Sequence, residues 1–391
     1  MSCLVELKNA LKPNALTDQG TEGGPRFILS KEEWLKIQVY VNNAQILPIT
    51  DNEFRNSLGA RSSFDLTDFE ALINAYTLIY QHTGVWRDET FPRSVDLASQ
   101  VYQYGTQKVP VYYPAISKLA DELTALPGDK DLQQKMKATL ESLRSTAQGY
   151  ADEAEAVSLA VKTFADETQA DKMTLVGRAN EEGLRKYYND TYGKMSKEVE
   201  RLNKEIEAVQ KVLEAINDEY DHDVIVAGTS ATYVWVFPVG TIAAAVVAGV
   251  YGDKAVKALA RARAAEKKIK KLNEKLAQNA RLMIYLNNAS LGIVSINNSL
   301  SDALPAIQKI QGVWAAMSSD LGQIVEIIDR DISEAIDVIK SLGVDEAMRA
   351  WQMVAAAANA YRLNAYVQEP AGVDGSSELH RLNTLILCNV A

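Results

Sequence analysis

An all-α, elongated fold is what this sequence predicts, and three observations predict it. Proline is scarce, ten in 391 residues, while Ala, Glu, Lys and Leu are abundant, a composition that favours helix. No run sustains the apolar–polar alternation of a strand, whereas apolar residues recur at three- and four-residue spacing over long proline-free stretches. One segment, 224–252, carries no charge between Asp223 and Asp253. The expected architecture is a helical bundle continued by a long antiparallel coiled-coil stalk that ends in a hydrophobic hairpin.

Residues 1–29, broken by Pro13, Gly20, Gly23, Gly24 and Pro25, read as a loose lead-in. A bundle is expected over 30–146. Its first helix opens at the capping box Ser30-Lys31-Glu32-Glu33, shows an apolar face at Trp34, Ile37 and Val41, and stops at Pro48. A second starts at Thr67-Asp68-Phe69-Glu70 and runs to Gly84. Shorter helices are expected at 94–104, 114–126 and from 129 onward.

The stalk is expected to ascend over 147–223 and descend over 253–304. Met195, Val199, Leu202, Ile206, Val209, Leu213 and Ile216 step alternately by four and three, the seam of a coiled coil. The pattern resumes with Ile269, Leu272, Leu276, Met283 and Leu286. If 147–223 is helical throughout, it runs about 115 Å at 1.5 Å per residue. Pro305 marks the turn into the rest of the bundle, 305–391, with Ile310, Trp314, Met317, Leu321, Ile324 and Ile328 at heptad spacing up to Gly343. A helix over 345–367 follows, carrying the Ala355–Ala358 run.

The apolar stretch is the candidate functional element. Its large side chains would forfeit ~20–35 kcal/mol, an upper bound, if left in water, more than the ~5–15 kcal/mol net stability of an ordinary domain. Protein, a partner or lipid must therefore cover it. Pro238 at its centre, followed by Gly240, places a turn after Phe237. Each limb of 14 residues is about 21 Å long as a helix, too short to span a bilayer core. The residues expected to enter an apolar phase are Val224, Ile225, Val226, Tyr233, Val234, Trp235, Val236, Phe237, Pro238 and Val239 on the first limb and turn. On the second they are Ile242, Val246, Val247, Val250 and Tyr251. Tyr233, Trp235, Phe237 and Tyr251 suit either a core or an interface, and the proline turn beside them favours anchoring for Trp235 and Phe237. Lys254, Lys257 and Arg261 open a basic run on the far side, facing acidic Glu214, Asp218 and Glu219 on the near side. Cross-helix pairing accounts for that asymmetry, and attraction of the three basic residues to anionic lipid is the added reading.

Other chemistry is sparse. Net charge is −10, which argues against a nucleic-acid binder. Cys3 and Cys388 give no metal or redox spacing, and three scattered histidines give no metal site. No phosphate-cradling glycine motif and no nucleophile elbow is complete. No catalytic residue, metal or cofactor is expected. His222, between Asp221 and Asp223, reads as a solvated helix end, or as a pH-sensitive catch. The N-terminus lacks a basic region followed by an apolar one, so no signal peptide is visible.

The helix from Ser30 through Val41 to Leu47-Pro48, and the charge-free stretch set inside a very long helix pair, resemble the A component of the binary α-xenorhabdolysin family. The architecture is that of ClyA-like α-pore-forming toxins, and the likeness spans roughly 30–365. The resemblance implies a non-enzymatic cytolysin subunit, secreted and acting at a target-cell membrane. It would dock on lipid through its apolar foot, self-associate, and assemble with a B component into an oligomeric pore. A single-component haemolysin and a structural coiled-coil scaffold are the competing expectations.

Overall fold

The structure, a computed structural model, describes residues 47–178, 181–192, 234–236, 242–244 and 278–365, together with individual positions before 47. These residues are mostly helical, and they form two compact units. The only strands among them are three two-stranded antiparallel ribbons.

The first unit comprises 1–30, 90–160 and 303–365. Helix α3 (Phe91–Gln103) passes through a π-helical turn (Tyr104–Lys108) into α4 (Val109–Ala125). The long helix α5 (Lys130–Val176) contributes its first part and α7 (Gln278–Arg330) its last, followed by α8 (Ile332–Ser341) and α9 (Val344–Asn364). An aromatic cluster holds the centre. Trp351 stacks on Trp314 at 5.4 Å, and Tyr104 lies 4.6 Å from the first ring and 5.0 Å from the second. Gly105 is needed at the crossing with α9, because a Cβ there would stand 2.7 Å from that of Ala355.

The described positions of the lead-in are packed. Leu7, Ala10, Leu11, Leu16 and Phe27–Leu29 are buried, and Thr17–Asp18 (β1) pairs with Arg26–Phe27 (β2). The Leu11 carbonyl accepts from Tyr113 Oη at 2.7 Å and Trp351 Nε1 at 2.8 Å. The apolar residues between the glycines and prolines were the overlooked signal.

Pro305 does not turn the chain, because α7 continues through it. Ala306, Ile307, Ile310 and Trp314 extend the buried stripe at once, and that burial outweighs the ~3 kcal/mol cost of an interior proline. The break comes at Asp331, whose carboxylate caps α8 by accepting from the amides of Ser333 and Glu334.

The second unit comprises 31–89, 161–302 and 366–391. Trp34, Ile37, Tyr40, Val41 and Ala44 are helical and buried, as the apolar face required, whereas Ser30 to Glu33 lie outside the described residues. A helix not anticipated, α1 (Asp51–Leu58), has a complete capping box at Thr50 and Glu53 and ends on Gly59 in the left-handed region at φ 64°. Helix α2 (Glu70–Val85) follows a 3₁₀ turn at Thr67–Phe69. It does not end at Gly84 but runs on into a second π turn, Trp86–Thr90.

The largest departure lies further on. The continuous helix expected over 147–223 is broken after Val176. Gly177–Arg178 (β3) pairs with Glu181–Glu182 (β4), and α6 (Leu184–Tyr192) begins anew. Gly177 has φ 93°, and a Cβ on Gly183 would fall 2.4 Å from Gly177 N. Only glycine permits that crossing. Tyr188 pins α6 down, donating to the Asp68 carbonyl at 2.8 Å and stacking on Phe69 at 5.6 Å.

Candidate membrane-contact hairpin

Within the charge-free stretch, Val234–Val236 (β5) pairs antiparallel with Ile242–Ala244 (β6). The register is Val234 with Ala244, Trp235 with Ala243 and Val236 with Ile242. This pairing brings the two limbs of the stretch side by side, with Pro238 and Gly240 in the sequence between them. The pairing is β rather than helical. Val, Trp and Ile favour strand, and proline removes one helical hydrogen bond at the midpoint. Three residues per strand reach about 10 Å, against the 9–11 residues that a spanning strand needs. Among the described residues, no helix is long and apolar enough to cross a membrane.

Of the residues singled out from the sequence, Val234, Trp235 and Val236 lie on β5 and Ile242 on β6. Met283 and Leu286 lie in α7. The remaining insertion residues, the basic Lys254, Lys257 and Arg261, and the seam from Met195 to Ile216 and from Ile269 to Leu276 lie outside the described residues, as does His222. No cluster of His, Cys, Asp or Glu fit to hold a metal exists among the described residues.

A histidine–carboxylate pair does occur elsewhere. His82 Nδ1 on α2 is 3.0 Å from Asp171 Oδ2 on α5, and the Asp171 side chain is only 7% exposed. Burial raises the Asp171 pKa, the His82 hydrogen bond and charge oppose that rise, and Glu167 adds to it. Burial, with a further push from Asp171, also keeps the Tyr40 hydroxyl neutral. The two partners stand 89 residues apart, a pairing that sequence spacing does not reveal. A carboxyl whose folded-state pKa is raised contributes stability below its unfolded value, near 3.9, and loses that contribution as pH rises through the folded value. Asp171→Asn should remove this slope. Urea midpoints measured from pH 4 to 8 are expected to fall more steeply in the wild type than in the variant.

Comparison with known proteins agrees with this architecture. The family model for the Bacillus haemolytic enterotoxin (HBL) matches residues 61–216. The pesticidal crystal protein Cry6Ba of Bacillus thuringiensis is 26% identical over 384 residues, covering 92% of this chain and 93% of that protein. Among solved structures, the HblL1 toxin component of Bacillus cereus superposes with a TM-score of 0.54 at 14% identity, over 87% of this chain and 97% of its own. The chain has the fold of the α-pore-forming toxin components. Soluble SmhA, of the tripartite α-pore-forming toxin Smh from Serratia marcescens, gives 0.55 at 14% identity over 92% and 98% of the two chains. That fold is the helical, ClyA-like architecture expected from the sequence. The relatives named are HBL, Cry6 and Smh proteins rather than xenorhabdolysin A components, so the likeness holds at the level of the wider toxin group.

Proposed function

We propose that this chain is a component of a multi-component pore-forming toxin, released by its producer to act at a target-cell membrane. Its apolar hairpin makes first contact with lipid. The observation that carries this reading is the β5–β6 reversal inside a stretch of 29 residues without a charge, on a fold shared with toxin components. Short strands suit entry into one side of a bilayer better than a crossing. Trp235 and Phe237 act as interfacial anchors, and Lys254, Lys257 and Arg261 add attraction to anionic headgroups. The stalk seam and the first unit supply the surface for self-association.

The number of partners separates two forms of this reading. A single B component would make the toxin binary, whereas the Smh neighbours belong to tripartite systems. In either form the chain alone binds vesicles and causes strong lysis only with its partners. Flotation on vesicles of phosphatidylcholine and phosphatidylserine tests the membrane role. Wild type should float, and a variant with 224–252 replaced by a short Gly/Ser turn should stay at the bottom with its helix content kept. Flotation of both would remove the hairpin from the membrane role. Full lysis by the purified chain would make it a single-component haemolysin.

A further inference from the structure

The segment ahead of β1 sits in the first unit as a peptide sits in a binding groove. Leu7, Ala10, Leu11 and Leu16 are all buried. The backbone is bound as well as the side chains. The Leu11 carbonyl accepts from Tyr113 Oη on α4 at 2.7 Å and from Trp351 Nε1 on α9 at 2.8 Å. One residue on, Lys12 Nζ pairs with Glu346 Oε2 of α9 at 2.9 Å. Buried leucines, a main-chain acceptor between two fixed donors and one complementary charge together select a particular peptide, in a particular register.

That groove is costly to leave empty. Tyr113 and Trp351 are fully buried, and burial holds the Tyr113 hydroxyl in its protonated, donating form. Two buried donors without an acceptor would be left unsatisfied. The covalent link between the segment and the rest of the chain is slight by comparison. β1 is two residues long and pairs with β2 only as Thr17 with Phe27 and Asp18 with Arg26. Seven residues, Gln19 to Pro25, join the two strands, and three of them are glycine. The bonds to α4 and α9 do not involve that link. A segment of the same sequence from a second copy can therefore make every one of them.

We propose that residues 1–18 are an exchangeable arm, which seats in the α4–α9 groove of a neighbouring copy when copies of this chain crowd together. The inference deepens the self-association assigned to the first unit and rests on that reading. Density decides which copy fills the groove. A short glycine-rich tether holds its own arm at an effective concentration on the order of mM. In dilute solution the chain therefore closes on itself, and exchange sets in where neighbours reach a similar density. Reciprocal exchange gives a dimer, and exchange in one direction gives a chain or a closed ring.

Deletion of 19–25 joins Asp18 directly to Arg26, and adjacent residues of one chain cannot pair across a ladder, so the arm cannot return to its own groove. In lipid-free buffer this variant should sediment as a dimer or larger species with the helix content of the wild type; a folded monomer would overturn the proposal. A second measurement leaves the link intact and decides the matter if the deletion fails to fold. In a Cys3→Ser/Cys388→Ser background, a Lys12→Cys chain and a Glu346→Cys chain are unfolded together in urea. They are refolded at about 1 mM, near the tether's effective concentration, and treated with a short bis-maleimide. Exchange gives a cross-linked pair of chains that disappears when refolding is done about a thousandfold more dilute. A yield no higher than that of Lys12→Cys with Lys130→Cys would overturn the arm. Neither measurement contains lipid, so failed vesicle flotation leaves both unaffected. Oligomers that form on vesicles without a 12–346 cross-link would refute the exchange while upholding self-association.

Discussion

Trp235→Asp/Phe237→Asp should lose vesicle binding by a factor of about 10²–10⁴ while its melting curve stays where the wild type's is. Burial of each of these side chains contributes about 1.5–3 kcal/mol, so the pair contributes about 3–6 kcal/mol, and each 1.4 kcal/mol is tenfold in affinity. Trp235 pairs with Ala243 across the hairpin, and Phe237 follows β5 directly in sequence. Co-sedimentation with phosphatidylserine vesicles, beside a thermal melt, separates the competing roles. Lost binding with an unchanged melt is the result expected of a membrane tip. A collapsed melt would mean that the stretch is internal packing in a scaffold, and unchanged binding would place the lipid contact elsewhere.

Trp351→Ala is expected to be the most destabilising single change in the first unit. The ring is fully buried, touches both Trp314 and Tyr104, and donates to the Leu11 carbonyl. Truncating a buried tryptophan costs about 3–5 kcal/mol. Trp351→Phe, which keeps most of the volume and loses the indole donor, should cost nearer 1–2 kcal/mol, since Tyr113 still serves the carbonyl. Urea unfolding of the two variants measures the difference. A loss below about 1 kcal/mol for the alanine variant would show that the cluster is not the anchor of this unit.

Much of the chain was legible because helices announce themselves locally. The start at Thr67, the helix expected over 94–104 and found at Phe91–Gln103, and the stripe from Ile310 to Ile328 follow from spacing and caps. The helix at Asp51 was not anticipated, although its capping pair, Thr50 and Glu53, stands directly after Pro48. Punctuation was a poorer guide. Gly84 and Pro305 sit inside helices, because burial of the residues beside them outweighs one residue's preference. Histidine pairing was not legible either, because it depends on residues far apart in sequence. His82 meets Asp171 across two helices, 89 residues away in the chain.

The sequence by itself determined the helical class and the existence of one apolar stretch that water cannot keep. These depend on composition and short-range periodicity, which a chain carries before it folds. Only the tertiary structure decided that the apolar stretch pairs as strands, that lead-in residues such as Leu11, Leu16 and Phe27 are core, and that a proline-free helix breaks between two glycines. Each of these rests on groups distant in sequence or on backbone contacts that only glycine allows, and neither leaves a periodic trace in the chain.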